Sequence, residues 1–351
     1  MKKTFLLLLF VFIIKFAFCW GFYAHQKINY YAVFLLPPQM MVFYKQNLSF
    51  ISEHSTDPDK RRYAVAEEGP RHYLDIDRYG HYPYDSLPHN WDSAVQKFGE
   101  DTLRAYGIVP WWIQTMKARL TTAFKEKSAP KILKLSAEIG HYIADAHVPL
   151  HACSNHNGQF TDQKGIHGFW ESRLPELLAD KEWNFFTGKT EYIANTQSFI
   201  WKRLLQSAAA ADTVLKIEKA LSLSFAPDQR FAFENKNGVV QKQYSAAYAR
   251  AYNDSLHGMV ERRMRQSIEA VAAFWYTAWV DAGQPDLTNL TSKTFTIEEL
   301  AEFDALNRAW RTHEMKGRPE EWEREKWNVK RETFLARPQT VGSPFAEHRK
   351  L

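Results

Sequence analysis

Apolar residues recur at helical spacing along nearly the whole chain, and no stretch alternates apolar and polar residues long enough to force a sheet. Long amphipathic stretches lie near 92–127, 131–147, 168–180, 192–223 and 241–282. In the last of these, Ala246, Ala249, Tyr252, Leu256, Met259 and Val260 repeat at helical intervals, and Ile268, Val271, Ala272, Phe274 and Trp275 continue the face. Gly283 and Pro285 then supply ordinary helix stops. Residues 225–243 are expected to form a small hairpin or loop around Asn237-Gly238. The expected fold class is all-α, a single multi-helix domain. With 45% apolar residues and 15% aromatics, the chain has the material for a large helical core.

The first segment reads as a processing signal rather than as part of the fold. Lys2 and Lys3 precede an apolar run from Phe5 to Ile14, Lys15 interrupts it, and Phe16 to Cys19 complete it. A basic start, a short apolar stretch and small residues before a cut describe a secretory signal peptide, here residues 1–19 with the cut before Trp20. The run falls short of the roughly 20 residues a membrane helix needs. The expected location is therefore outside the cytoplasm, periplasmic or secreted. Loss of residues 1–19 lowers the formal charge from +5 to +2, too little to imply nucleic acid from charge alone. It also leaves Cys153 as a single cysteine, which cannot form an internal disulfide.

Beyond residue 284 the character changes. A helix is expected from Thr296, with Ile297, Leu300 and Phe303 on one face. Residues 315–351 are charged and punctuated by proline. The expected organisation is a domain over 20–284 and a polar C-terminal extension over 285–351.

Chemistry-bearing residues concentrate in a few places. His141 and Asp145 stand four apart, on one face of a helix, and His151 follows just after Pro149. Imidazole and carboxylate together suit zinc, although such a pair also serves as an ordinary solvated or capping pair. His167 and Glu171 repeat the spacing, with a helix start as the plain alternative. Upstream lie His72, in Arg71-His72-Tyr73, and Asp57, in Asp57-Pro58-Asp59, which also reads as a turn. Trp20-Gly21 stands directly after the expected cut, with His25 close behind. A freed α-amine has a pKa near 8 and binds zinc once deprotonated. Trp20 packed into the core is the plain alternative.

In order and separation, Trp20-Gly21, His25, Asp57, His72, His141-x-x-x-Asp145, His151 and His167-x-x-x-Glu171 resemble the zinc-dependent phospholipase C family and the single-strand-specific zinc nucleases of fungi and plants that share its fold. The resemblance spans about residues 20–284. It implies three zinc ions: one held by Asp57, His72, His141 and Asp145; a second by His151, His167 and Glu171; a third by the amine and carbonyl of Trp20, His25 and the other oxygen of Asp145. Asp57 is taken over Asp59 on spacing to His72. His54, His81, His89, His147 and His156 receive no ligand role.

The activity implied is hydrolysis of phosphate esters, phosphodiesters above all, by attack of a zinc-bridging hydroxide on phosphorus. Asp57 and Asp145 are the expected catalytic residues, Asp57 as a guide for the attacking water. Glu171 at the last ligand position, and a 151–167 loop without the Gly-Gly-Asn element of the nucleases, point to a phospholipid head group as substrate. Single-stranded nucleic acid is the alternative substrate, with endonuclease or 3'-nucleotidase activity. Tyr63, Tyr73, Tyr79, Tyr82, Tyr84 and Phe160 are aromatics able to stack a base or cage a choline cation, or simply core residues. A metal-stabilised binding protein is the reading from a different class. A second metal with only three protein ligands argues against it, because it keeps an open position. Nothing in the sequence indicates a stable protein partner.

Overall fold

The computed structural model describes residues 21–236, 239–288, 290 and 295–312. The fold is all-α with one small hairpin. Its helices are α1 (Phe22–Val33), α2 (Pro38–Gln46), α3 (Leu48–Glu53), α4 (Asp57–Arg61), α5 (Trp91–Phe98), α6 (Glu100–Tyr106), α7 (Val109–Lys125) and α8 (Ala129–Asp145). They continue as the single turn α9 (Ile166–Gly168), α10 (Leu174–Glu182), α11 (Thr196–Ser222), α12 (Ala246–Ser255), α13 (Met259–Asp281) and α14 (Ile297–Thr312). No helix among the described residues is long and apolar enough to cross a membrane.

α8 forms the axis of the molecule. Every residue from Ser136 through Asp145 is buried, as expected of a helix enclosed on all sides. α1, α3, α7 and α13 pack around it. The approach of α1 is close enough to require glycine: a Cβ on Gly140 would lie 2.0 Å from Asn29 Oδ1. Asn29 in turn donates through Nδ2 to Ala137 O (3.0 Å) and Ile51 O (3.1 Å), tying α1 to α8 and α3. On another side, Trp275 Nε1 of α13 donates to Ser136 O at 3.0 Å.

The amphipathic stretches are cut more finely than their periodicity indicates. The 92–127 stretch is three helices, interrupted at Gly99 and Gly107, both at positive φ. Gly107 also sits so near Tyr73 O that a Cβ there would come within 2.1 Å of it. The 241–282 stretch is split between α12 and α13 by His257 and Gly258, at φ 50° and 72°. The hairpin pairs β1 (Phe231–Lys236) with β2 (Val239–Tyr244), antiparallel, Phe231 opposite Tyr244. Its Asn237-Gly238 tip lies outside the described residues, as do the signal segment, Trp20 and residues 313–351.

Past residue 284, α14 is a packed helix. It lies against α4, with Phe303 and Leu306 buried. Phe303 meets His54 and Phe50, and Trp310 meets Phe22. The expected face is corrected: Ile297 and Leu300 are exposed. Steps of three residues fall short of a full turn by about 60°, so Ile297 and Phe303 diverge while Phe303, Leu306 and Trp310 stay together.

Candidate metal centre

Three groups of potential metal ligands lie in the described structure: His25, His141 and Asp145; Asp59, His72 and His141; and His151, His167 and Glu171. All of these residues are buried. Within each group the ligand atoms are within 4.8 Å of one another.

The group of Asp59, His72 and His141 forms where α8 faces α4 and the Ala66–His72 turn. His141 and Asp145, one turn apart on α8, point the same way. His72 Nδ1 is 2.9 Å from Asp145 Oδ2 and 3.0 Å from His141 Nε2. His141 Nε2 is 3.3 Å from Asp145 Oδ2 and 3.6 Å from Asp59 Oδ1, and His72 Nδ1 is 3.8 Å from Asp59 Oδ1. Ligands at 2.0–2.1 Å from a tetrahedral zinc stand about 3.3 Å apart, so these distances bracket the edges of such a site. Both oxygens of Asp59 are buried without a hydrogen bond in the described protein. Arg62 Nη1 stands 3.9 Å from Oδ1, and a cation closer in would offset the cost of burying this carboxylate further. The residues fit a metal ion.

Asp145 also serves α1. Its other oxygen, Oδ1, is 3.4 Å from His25 Nε2, and the His25 ring stacks on His141 at 3.8 Å. One carboxylate thus faces two groups, each through its own oxygen. The α1–α8 crossing at Gly140 sets this pairing. Gly21, the first described residue, starts α1 packed on Ser172, with its missing Cβ 2.9 Å from Ser172 Oγ. Gly21 is therefore beside Ser172, the residue after Glu171. The Trp20 part of the expected third site falls outside the described residues.

The group of His151, His167 and Glu171 hangs on a turn and a π-helical bend. Pro149–Ala152 forms a 3-10 turn that presents His151. After Gly165 in the left-handed region, α9 carries His167 and passes into a π turn, Phe169–Arg173, that carries Glu171. Single π turns recur at functional sites. Glu171 Oε2 is 3.0 Å from His167 Nε2 and 3.4 Å from His151 Nε2. Asn157 Oδ1 accepts from Gly165 N and His167 N, fixing the start of α9. The hairpin braces the bend: Arg173 donates to Tyr244 O at 2.9 Å, and Phe169 stacks on Tyr244 at 3.8 Å.

The far nitrogens of two of these imidazoles are held by backbone carbonyls, one of the arrangements metal-binding histidines adopt. His141 Nδ1–H donates to Ser55 O (2.8 Å) and His151 Nδ1–H to His72 O (2.7 Å). Leu74 N returns a bond to His151 O at 2.9 Å, so the strand-like segment after His72 and the turn at His151 are linked both ways. Burial lowers the His141 imidazole, but Asp145 and Asp59 outweigh it and push it up to about 9. His25 is pushed down to about 4 by burial and by His141 beside it. The carboxylates thus give the pocket a negative field that favours cations.

Asp57 is corrected. The group contains Asp59, while Asp57 accepts from His54 Nδ1 at 2.6 Å and from Lys60 Nζ at 2.9 Å. Both residues lie on α4, and positions two apart on a helix point about 200° away from each other. Only one of them can face His72. Asp57 belongs to none of the three groups. Burial acts to raise the Asp57 carboxyl, yet His54 and Lys60 hold it below the ordinary range. The neighbours three before and three after Asp57 were the available signal.

Residues not read from the sequence surround His72. Glu68, fully buried, lies 3.6 Å from His72 Nε2, receives the Tyr142 hydroxyl hydrogen bond, and pairs with Arg71 at 2.5 Å and Arg61 at 3.6 Å. Behind α8, Arg263 donates to His147 O at 2.7 Å and Ser207 to Ala146 O at 2.7 Å, holding the carbonyls that follow Asp145. Of the candidate aromatics, Tyr79 is core, Tyr63, Tyr73 and Tyr84 are partly buried, and Tyr82 and Phe160 are exposed. Phe160 lies on the loop between His151 and His167.

No protein-family model matches the chain, and no curated protein matches it. Among solved structures, the alpha toxin from Clostridium absonum is similar at a TM-score of 0.43 and 13% identity. The match covers 76% of this chain and spans 65% of the toxin's length.

Proposed function

We propose that the protein is an exported zinc-dependent hydrolase of phosphodiester bonds, of phospholipase C type, that holds three zinc ions. The observation that carries this reading is the set of three buried His and acid groups spaced for metal, two of which meet at Asp145. Divalent ions held there supply Lewis acidity, neutralising a phosphoryl group and making water nucleophilic near neutral pH.

The chain's own residues would divide the work. Asp59, His72, His141 and Asp145 hold one ion. His151, His167 and Glu171 hold a second and, as three ligands, leave a position open for substrate or water. His25 and Asp145 Oδ1 hold a third together with the Trp20 amine and carbonyl. Asp59 replaces Asp57 as the carboxylate able to orient water, since its Oδ1 faces the group. Phe160 and Tyr82, exposed, are the aromatics free to meet a head group.

Metal analysis of protein beginning at Trp20, with assays on phosphatidylcholine and on single-stranded DNA and RNA with and without chelator, tests the proposal. Three zinc ions per chain and chelator-sensitive release of a phosphorylated head group are expected. Turnover of nucleic acid in place of lipid would move the substrate assignment to the nuclease reading. Absence of stoichiometric metal would overturn the proposal itself.

A further inference from the structure

Among the imidazoles of the site, His72 is held differently. His141 and His151 turn Nε2 toward their groups and give Nδ1–H to a backbone carbonyl. His72 is reversed: its Nδ1 faces Asp145, His141 and Asp59, and its Nε2 faces a side chain, Glu68, at 3.6 Å. Which nitrogen of a histidine is left to bind metal is set by what its other nitrogen donates to. Glu68 Oε1 thus lies on the side of His72 where the other two rings meet backbone carbonyls, but farther off than the 2.7 and 2.8 Å of those bonds.

Glu68 is itself held on several sides. It is fully buried in the turn Ala66–His72, one helical step before His72. The Tyr142 hydroxyl, from the residue after His141, donates to its Oε1, Arg71 pairs with its Oε2 at 2.5 Å, and Arg61 lies 3.6 Å from Oε1. Arg61 is in turn paired to Glu138 on α8, and Arg71 stacks on Trp112 of α7 with 4.0 Å from guanidinium to ring centre. Four elements (α4, the Ala66–His72 turn, α7 and α8) thus fix this one carboxylate. Arg61 and Arg71 also supply the charge that makes its burial tolerable.

We propose that Glu68 is a positioning residue for the metal centre: it holds the His72 Nε2–H, and so presents Nδ1 as the ligand atom to the site shared with Asp59, His141 and Asp145. This rests on the metal-centre reading above. It extends that reading to a residue outside all three ligand groups.

The test is Glu68→Gln, with Tyr142→Phe as a second variant that leaves the carboxylate but removes one of its holds. Zinc affinity of each protein is measured by competition with a chelator, and the His72 tautomer is read by nitrogen-15 NMR on chelated protein. Glu68→Gln is expected to weaken one of the bound zinc ions by about 10–100-fold and to shift His72 away from the Nε2–H form. Tyr142→Phe should move both in the same direction by less. Equal zinc affinities and an unchanged His72 tautomer, with only a lower Tm in chelated protein, would reduce Glu68 to a structural role and overturn the inference. Failure of the wild type to bind zinc would instead remove the metal reading, and the His72 tautomer would still decide what Glu68 does. If Glu68→Gln does not fold, Tyr142→Phe carries the same two readouts.

Discussion

The side chain of Asn29 occupies the place where a Cβ of residue 140 would be, 2.0 Å from Asn29 Oδ1. His25 lies one turn before Asn29 on α1, and His141 directly follows Gly140 on α8, so this contact sets the stacking of the two imidazoles. Gly140→Ala should therefore push the helices apart. Overpacking of this kind costs about 1–3 kcal/mol, and the zinc shared by His25 and Asp145 should be lost or weakened. Denaturant titration together with metal counting checks both. An alanine variant with native stability and full metal would mean that the crossing has slack.

Asp59→Asn and Asp57→Asn form a matched pair. Removing the Asp59 charge takes a ligand from the group containing His72 and His141. Activity should fall by more than the roughly 100-fold reached by outer partners of a metal, with one zinc missing. Asp57→Asn loosens only the contacts with His54 and Lys60. It should keep all metal and most activity. The reverse ranking, read from rates and zinc content, would restore Asp57 to the site.

Arg263→Met tests the support behind α8. The change leaves His147 O without its donor in a buried position, which costs about 1–3 kcal/mol. The loss should show as a lower midpoint in urea with and without zinc, because Arg263 touches no ligand. A selective loss of zinc at unchanged midpoint would show that the support acts on the site instead.

Ending the chain at residue 284 removes α14 and uncovers Phe50, His54 and Phe22. The shortened protein should bind a hydrophobic dye, aggregate more readily and melt earlier. Equal melting of both lengths would make α14 a dispensable cover.

Chelation should lower Tm reversibly. Metal bound only to the folded state adds about 2.7 kcal/mol at a hundredfold excess over Kd. A Tm unaffected by chelator in protein shown to have carried zinc would count against coupling of the centre to folding.

The fold class was legible because it rests on helical spacing. His141 with Asp145 and His167 with Glu171 need only the four-residue repeat to share a face. The choice between Asp57 and Asp59 required the phase of α4, five residues long and too short to show a period. For the same reason α2 and α3, nine and six residues, escaped the reading of residues 22–61. They are held by burial of Met40, Phe43, Tyr44 and Ile51 against the rest of the core rather than by a pattern of their own. Glu68 was illegible because the contact that brings it to α8, from Tyr142, is distant in sequence. The π turn at Glu171 follows from packing on Tyr244 and Gly21, which no local rule encodes.

Asp145 has one oxygen turned to His25 and the other to His72 and His141. Two cations sharing a single carboxylate do not load as strangers. The first to arrive fixes the plane of that group and takes up part of its charge, helping or hindering the next arrival. Thermodynamic reciprocity demands that the second alter the grip on the first by the same factor. Filling of this protein should thus follow a stepwise, interdependent isotherm, and its apparent affinities will belong to the assembly rather than to any one pocket.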